Sequence, residues 1–182
     1  MSVKYKIRDQ ERLYFVSFAV VYWLDIFIRN EYRDILIDNL RYCQKEKGLE
    51  IYGWCIMTSH VHLIIGTSGN KIEGILRDFK GFTSKSLRKS ITENPTESRK
   101  EWLLWMMQRA GSKNSNNKDF QFWQQDNHPI ELWDNYMMEQ KLDYIHDNPV
   151  SSGIVDEPMN YLYSSARDYA GIKGLLDIKL IS

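Results

Sequence analysis

LEIYGWCIMTSHVHLIIGT, residues 49–67, decides the fold. Its first half is rich in β-branched and aromatic residues, so residues 49–58 read as a strand. HVHLIIGT, residues 60–67, reads as another. The short join at Thr58-Ser59 suggests an antiparallel hairpin. Side chains alternate faces along a strand, so His60 and His62 project to the same side of the sheet.

Upstream, residues 31–47 carry Ile35, Leu36, Leu40 and Cys43 at helical spacing, and Gly48 supplies a stop. RLYFVSFAVVYW, residues 12–23, reads as the first strand. Downstream, residues 66–70 form a turn and residues 72–91 a long helix with Ile75, Leu76, Phe79, Phe82 and Leu87 on its apolar side. Residues 99–110 read as a helix, residues 111–118 (GSKNSNNK) as a polar, mobile loop, and residues 120–124 as a short strand. Residues 131–147 read as a helix closed by Pro149, and residues 175–181 as a last strand candidate. This order predicts an α+β fold: a ferredoxin-like antiparallel sheet with helices packed on one face, plus a C-terminal extension.

The chain has 182 residues, which suits one domain covering residues 1–182. Its composition is that of a folded protein, 43% hydrophobic and 26% charged. The formal net charge is zero, so any attraction for nucleic acid must come from a local patch. No Gly-rich phosphate loop occurs, which disfavours ATP- or GTP-driven chemistry. No apolar run is long enough to span a bilayer, the N-terminus has no signal-peptide core, and Cys43 and Cys55 sit in apolar patterns as reduced core residues. The expectation is a cytoplasmic protein with no membrane contact.

Two parallel imidazoles make a two-point grip on a divalent metal, although a lone His-x-His also suits a hydrogen-bonded pair at a sheet edge. Hydrolases of the His-x-His-x-Asp type need an acid at position 64, which is Ile64. Cupins need a Glu shortly downstream, and LIIGTSGN has none. A His-hydrophobic-His pair without either extension fits enzymes that nick and transpose single-stranded DNA. Those enzymes need a further ligand and a tyrosine from elsewhere. QKLDYIHDNPV supplies both: Tyr144 and Asn148 are four apart and share a helical face, with Asp143 and Asp147 as rival ligands close by. A phenol with a pKa near ~10 is a weak nucleophile at neutral pH. Offsetting the charge of the scissile phosphate is therefore what such chemistry requires.

DFKGFTSKSLRKS brings Lys80, Lys85, Arg88 and Lys89 together among hydroxyl side chains, suited either to phosphate contacts or to a solvated face. FQFWQQDNH carries Trp123, Gln124, Gln125, Asn127 and His128, suited either to stacking and reading unpaired bases or to packing.

WCIMTSHVHLII, LRDFKGFTSKSL, FWQQDNHPIELW, KLDYIHDNPV and YLYSSARDYAG, in that order, resemble the REP-associated tyrosine transposases. These belong to the HUH single-strand transposases related to small insertion sequences. The resemblance implies a ferredoxin-like catalytic core, a Mg²⁺ or Mn²⁺ ion, and cleavage of single-stranded DNA beside a small hairpin. It implies His60, His62 and Asn148 as ligands and Tyr144 as the nucleophile. The classical insertion-sequence branch has Gln where this chain has Asn148, so Asn points to the REP-associated branch. The classical branch works as a homodimer that completes each site in trans, whereas the REP-associated branch includes monomers. Two rival readings are a domesticated, non-catalytic hairpin-binding protein and an unrelated metalloenzyme acting on a small molecule. The complete His60, His62, Tyr144 and Asn148 set weighs against the first. The missing acids after His62 and the basic helix weigh against the second.

Overall fold

The computed structural model describes residues 7–114 and 119–181. Strands β1 (Leu13–Ala19), β2 (Leu49–Ile56), β3 (His60–Thr67) and β4 (Ile130–Leu132) form an antiparallel sheet in the order β2-β3-β1-β4. Helix α1 (Asn30–Lys47) joins β1 to β2, and α2 (Ile72–Glu93) follows β3. With β4 taken as the fourth strand, this is the ferredoxin-like arrangement expected from the sequence. The hairpin forms as its short join suggests, with Cys55 opposite His62 and Ile56 opposite Val61.

The register sorts the side chains into two faces. Phe18 lies opposite Val61, and its ring centroid is 5.7 Å from that of Phe79 on α2. Helices α1 and α2 pack together over this face, with Leu36, Leu40, Ile75 and Leu87 buried beneath them. Phe15, Ser17 and Ala19 lie opposite Ile64, His62 and His60 and occupy the other face. Helix α4 (Asn135–Ser151) packs there, against β2 and β3. Gly53 eases its close approach, because a Cβ at that position would come within 2.8 Å of Leu142 Cδ1 and that side chain would have to shift, with Ile64 and Ile145 also in contact. Helix α3 (Lys100–Ser112) packs beside α2.

Five expectations change. The first strand stops at Ala19 rather than running to residue 23, because Tyr22 and Trp23 take left-handed backbone angles, φ 54° and 56°, that no strand accommodates. Residues 120–124 make only an isolated bridge, Val20 to Trp123, and the fourth strand is Ile130–Leu132 instead. Residues 175–181 do not form a strand. One bond from Lys179 N–H to the Ile51 carbonyl ties them to the outer edge of β2, where Ser164 and Ser165 already cover Cys55 and Trp54. Helix α4 begins at Asn135, where the Asp134 carboxylate accepts from Met137 N–H at 2.7 Å, and it continues through Pro149 to Ser151. Pro149 sits in the last turn, where its missing N–H costs one bond. The Asn148 carbonyl still accepts from Ser152 N–H at 3.0 Å. Of the expected 111–118 loop, Gly111 and Ser112 belong to α3, and residues 115–118 lie outside the described residues.

Candidate functional site

Strand alternation brings the two imidazoles to the α4 face, as the sequence requires. The His60 and His62 ring centroids are 4.7 Å apart. Ser59 Oγ lies 3.2 Å from His60 Nδ1, which leaves His60 Nε2 available. Phe15 stacks on His62 at 5.6 Å and holds that ring in place. From α4, the Asn148 amide lies 3.4 Å from His62 Nε2, and the Tyr144 ring is 5.2 Å from the His62 ring. The run of α4 through Pro149 keeps Asn148 one helical turn from Tyr144, so both reach the same imidazole. Asp147 is turned away and accepts from Ser151, and Asp143 lies exposed. Of the three ligand candidates on this helix, Asn148 is the one placed beside the histidines.

Both imidazoles are held neutral. Burial pushes His62 down to about 3, with His60 and the Lys141 ammonium adding to the shift, and burial lowers His60 as well. A neutral imidazole keeps a lone pair for a metal. His62 Nδ1 is buried with no hydrogen-bond partner among the described residues. The described residues contain no cluster of three His, Cys, Asp or Glu that could hold a metal, so an ion at this site would take two imidazoles and an amide oxygen. That donor set, two borderline nitrogens and one hard oxygen beside an open face, fits a small divalent cation.

Tyr144 is 49% exposed, so its hydroxyl is accessible, whereas Tyr14, Tyr32, Tyr161 and Tyr163 are buried. Lys141, one turn earlier, places its ammonium 5.8 Å from the Tyr144 ring centroid and 5.0 Å from that of Phe15. This cation was open to prediction from its i−3 spacing to Tyr144, yet composition alone does not single it out.

The predicted DNA-contact residues divide. Lys85, Arg88 and Lys89 stand exposed along α2, with the Arg88 guanidinium 4.5 Å from the Phe120 ring centroid and Lys89 4.0 Å from Glu93. Lys80 points inward, donating to the Gln124 carbonyl at 2.8 Å and Asn127 Oδ1 at 2.7 Å, and burial pulls it down to about 8. Trp123 is buried between Phe18 and Phe27 and donates its indole N–H to Thr83 at 3.0 Å, so it packs rather than presents a face. Gln124 donates through its side chain to the Val20 carbonyl at 3.2 Å and borders the surface. The two predicted segments nevertheless meet: Lys85 and Arg88 face Phe120, Gln124 and Gln125 across one groove of about 440 Å³.

The family model for IS200-like transposases matches residues 18–140, about two thirds of the chain. The chain belongs to the IS200-like transposase family. The matched residues include the histidine pair and the basic helix and end just short of Tyr144 and Asn148. Among solved structures, this transposase is similar to a REP-associated tyrosine transposase bound to a REP hairpin. The identity is 16% and the TM-score 0.66, with 100% of this chain and 96% of the other covered. That likeness extends the shared fold over α4 and the tail. A candidate transposase from Deinococcus radiodurans aligns at 16% identity and a TM-score of 0.44, covering 80% of this chain and 97% of the other. No curated protein matches the sequence. Among the described residues, no helix of the transposase is long and apolar enough to cross a membrane.

Proposed function

We propose that this transposase is a metal-dependent single-strand endonuclease that cleaves and rejoins DNA beside hairpins through a covalent 5′-phosphotyrosine on Tyr144. The observation that carries the reading is the convergence of an accessible tyrosine and an amide, one turn apart on α4, upon two neutral imidazoles of β3. His60, His62 and Asn148 would hold Mg²⁺ or Mn²⁺. When bound, such an ion neutralises charge on the scissile phosphate and aligns it for in-line displacement.

The chain's own residues account for the remaining requirements. The Tyr144 oxygen forms a new bond to phosphorus, the P–O3′ bond breaks, and a proton ends on the released 3′-hydroxyl. The reverse attack by another 3′-hydroxyl restores the phenol, so no external energy source is needed. Lys141 adds a cation beside the attacking ring, and Phe15 holds the His62 ring that Tyr144 faces. His60, His62, Tyr144 and Asn148 converge within one folded copy of the chain, which supports a site completed in cis by a single molecule. The resemblance to REP-associated transposases, together with the fold it shares with a relative bound to a REP hairpin, supports a hairpin with a single-stranded flank as the DNA.

A denaturing gel of the protein with labelled hairpin DNA and Mn²⁺ tests the proposal. A protein–DNA adduct that survives denaturation is the expected result. Tight hairpin binding with no adduct in either Mg²⁺ or Mn²⁺ would instead show a non-catalytic binder.

A further inference from the structure

Tyr22 and Trp23 are consecutive bulky residues in the left-handed region, φ 54° and 56°, where such side chains are rare and cost free energy. Surrounding structure holds them there. Val20 N–H donates to the Ser59 carbonyl, Val21 N–H to the Phe122 carbonyl and Phe27 N–H to the Thr58 carbonyl, at 2.8–2.9 Å. These bonds anchor the turn to the residues immediately before His60. Strained aromatic residues ordinarily recover the cost through burial, but these two are 44% and 59% exposed. Trp23 instead stands beside the histidine pair, its ring centroid 5.5 Å from that of His60. Tyr22 and Trp23 also share a groove with Lys113, Gln121, Gln124 and Gln125. Gln121, Gln124 and Gln125 also line the basic groove that contains Lys85 and Arg88.

We infer that Tyr22 and Trp23 form a stacking platform for an unpaired nucleobase flanking the scissile phosphate, at the end of a track running from the basic face of α2. The track has the parts that single-strand binding needs: cations for the backbone, amides along the way, and aromatic faces that accept any base. The inference rests on the proposed cleavage reaction for its placement beside the scissile phosphate, but stacking can be read without cleavage.

The test compares equilibrium binding of the full-length protein to oligodeoxythymidine and to an abasic strand of equal length, which keeps the phosphates and removes the bases. Wild type should prefer the base-bearing strand by about ten-fold, within the range for one stacked base. Trp23→Gly and Trp23→Ala should lose this preference, while Trp23→Phe retains most of it, and the salt dependence should stay the same in all. Glycine adopts this backbone angle without strain, so Trp23→Gly should keep its thermal midpoint or raise it. A preference unchanged in Trp23→Gly, or a lowered midpoint with the preference intact, indicates a packing role and overturns the inference. If wild type forms no adduct on the gel, the cleavage reaction fails while the base preference still reports stacking. If wild type forms the adduct and Trp23→Gly binds as wild type does, stacking fails alone.

Discussion

The proposed chemistry depends on a few atoms whose removal should leave the packing nearly intact. Tyr144→Phe deletes one hydroxyl from a half-exposed ring, so hairpin binding should survive while the covalent adduct disappears. Tyr136 lies two turns earlier on α4 and is 72% exposed, and Tyr136→Phe should leave the adduct in place. Mass spectrometry of the trapped complex should find the nucleotide on the peptide containing KLDYIHDNPV. An adduct on any other tyrosine moves the site. His60→Ala and His62→Ala should each reduce cleavage to background without unfolding the protein. Full nicking by the double variant in Mg²⁺ would remove the metal role from this pair.

At the scale of elements, the site depends on how α4 is seated and how α2 is charged. Gly53 lets α4 approach the sheet, and Gly53→Val would force its branched side chain into Leu142, Ile64 and Ile145. Overpacking of this kind costs about 1–3 kcal/mol. Because α4 carries Tyr144 and Asn148, cleavage should fall more than stability does; calorimetry and adduct yield measure the two. On α2, replacing Lys85, Arg88 and Lys89 with Ala should make the salt dependence of single-strand binding shallower by about 2, at roughly 0.7 per lost phosphate contact. An unchanged slope would make these residues a solvated face. Lys80→Ala should act differently, loosening the 124–127 segment that its ammonium holds rather than changing the slope.

For the whole molecule, a net charge of zero leaves no general field to attract DNA, so any attraction must come from a local patch, for which the exposed cations of α2 are the candidate. Acid sensitivity should come from buried histidines. His146 is pushed down to about 4, mainly by burial, and its Nε2 lies 2.8 Å from Ser165 Oγ; His62 is pushed lower still. In the unfolded chain both take up a proton near ~6.5. Their contribution to stability is therefore complete above about 6.5 and is lost as the pH falls from there through about 4 for His146 and about 3 for His62. Denaturant titrations across this window should show stability falling with pH, and His146→Gln should flatten the decline.

Local sequence determined whatever depends on short range. Alternation over residues 60–62 put both imidazoles on one face, the short join favoured the hairpin, which turns over residues 57–59, and the i, i+4 spacing aligned Tyr144 with Asn148. Periodicity likewise located α1 and α2. Contacts between distant segments decided the rest. Asn148 was separated from Asp143 and Asp147 as the residue beside His62 only when α4 packed on β2 and β3. Trp123 and Lys80 turned inward because Phe27, Thr83, the Gln124 carbonyl and the Asn127 side chain offered partners that no window of sequence contains. Tyr22 and Trp23 continued the pattern of a strand, but they take left-handed angles in a turn whose flanks are held by bonds from Val20, Val21 and Phe27 to residues 59, 122 and 58. Propensity is a small free energy per residue, and a few long-range bonds and a buried apolar contact are enough to override it.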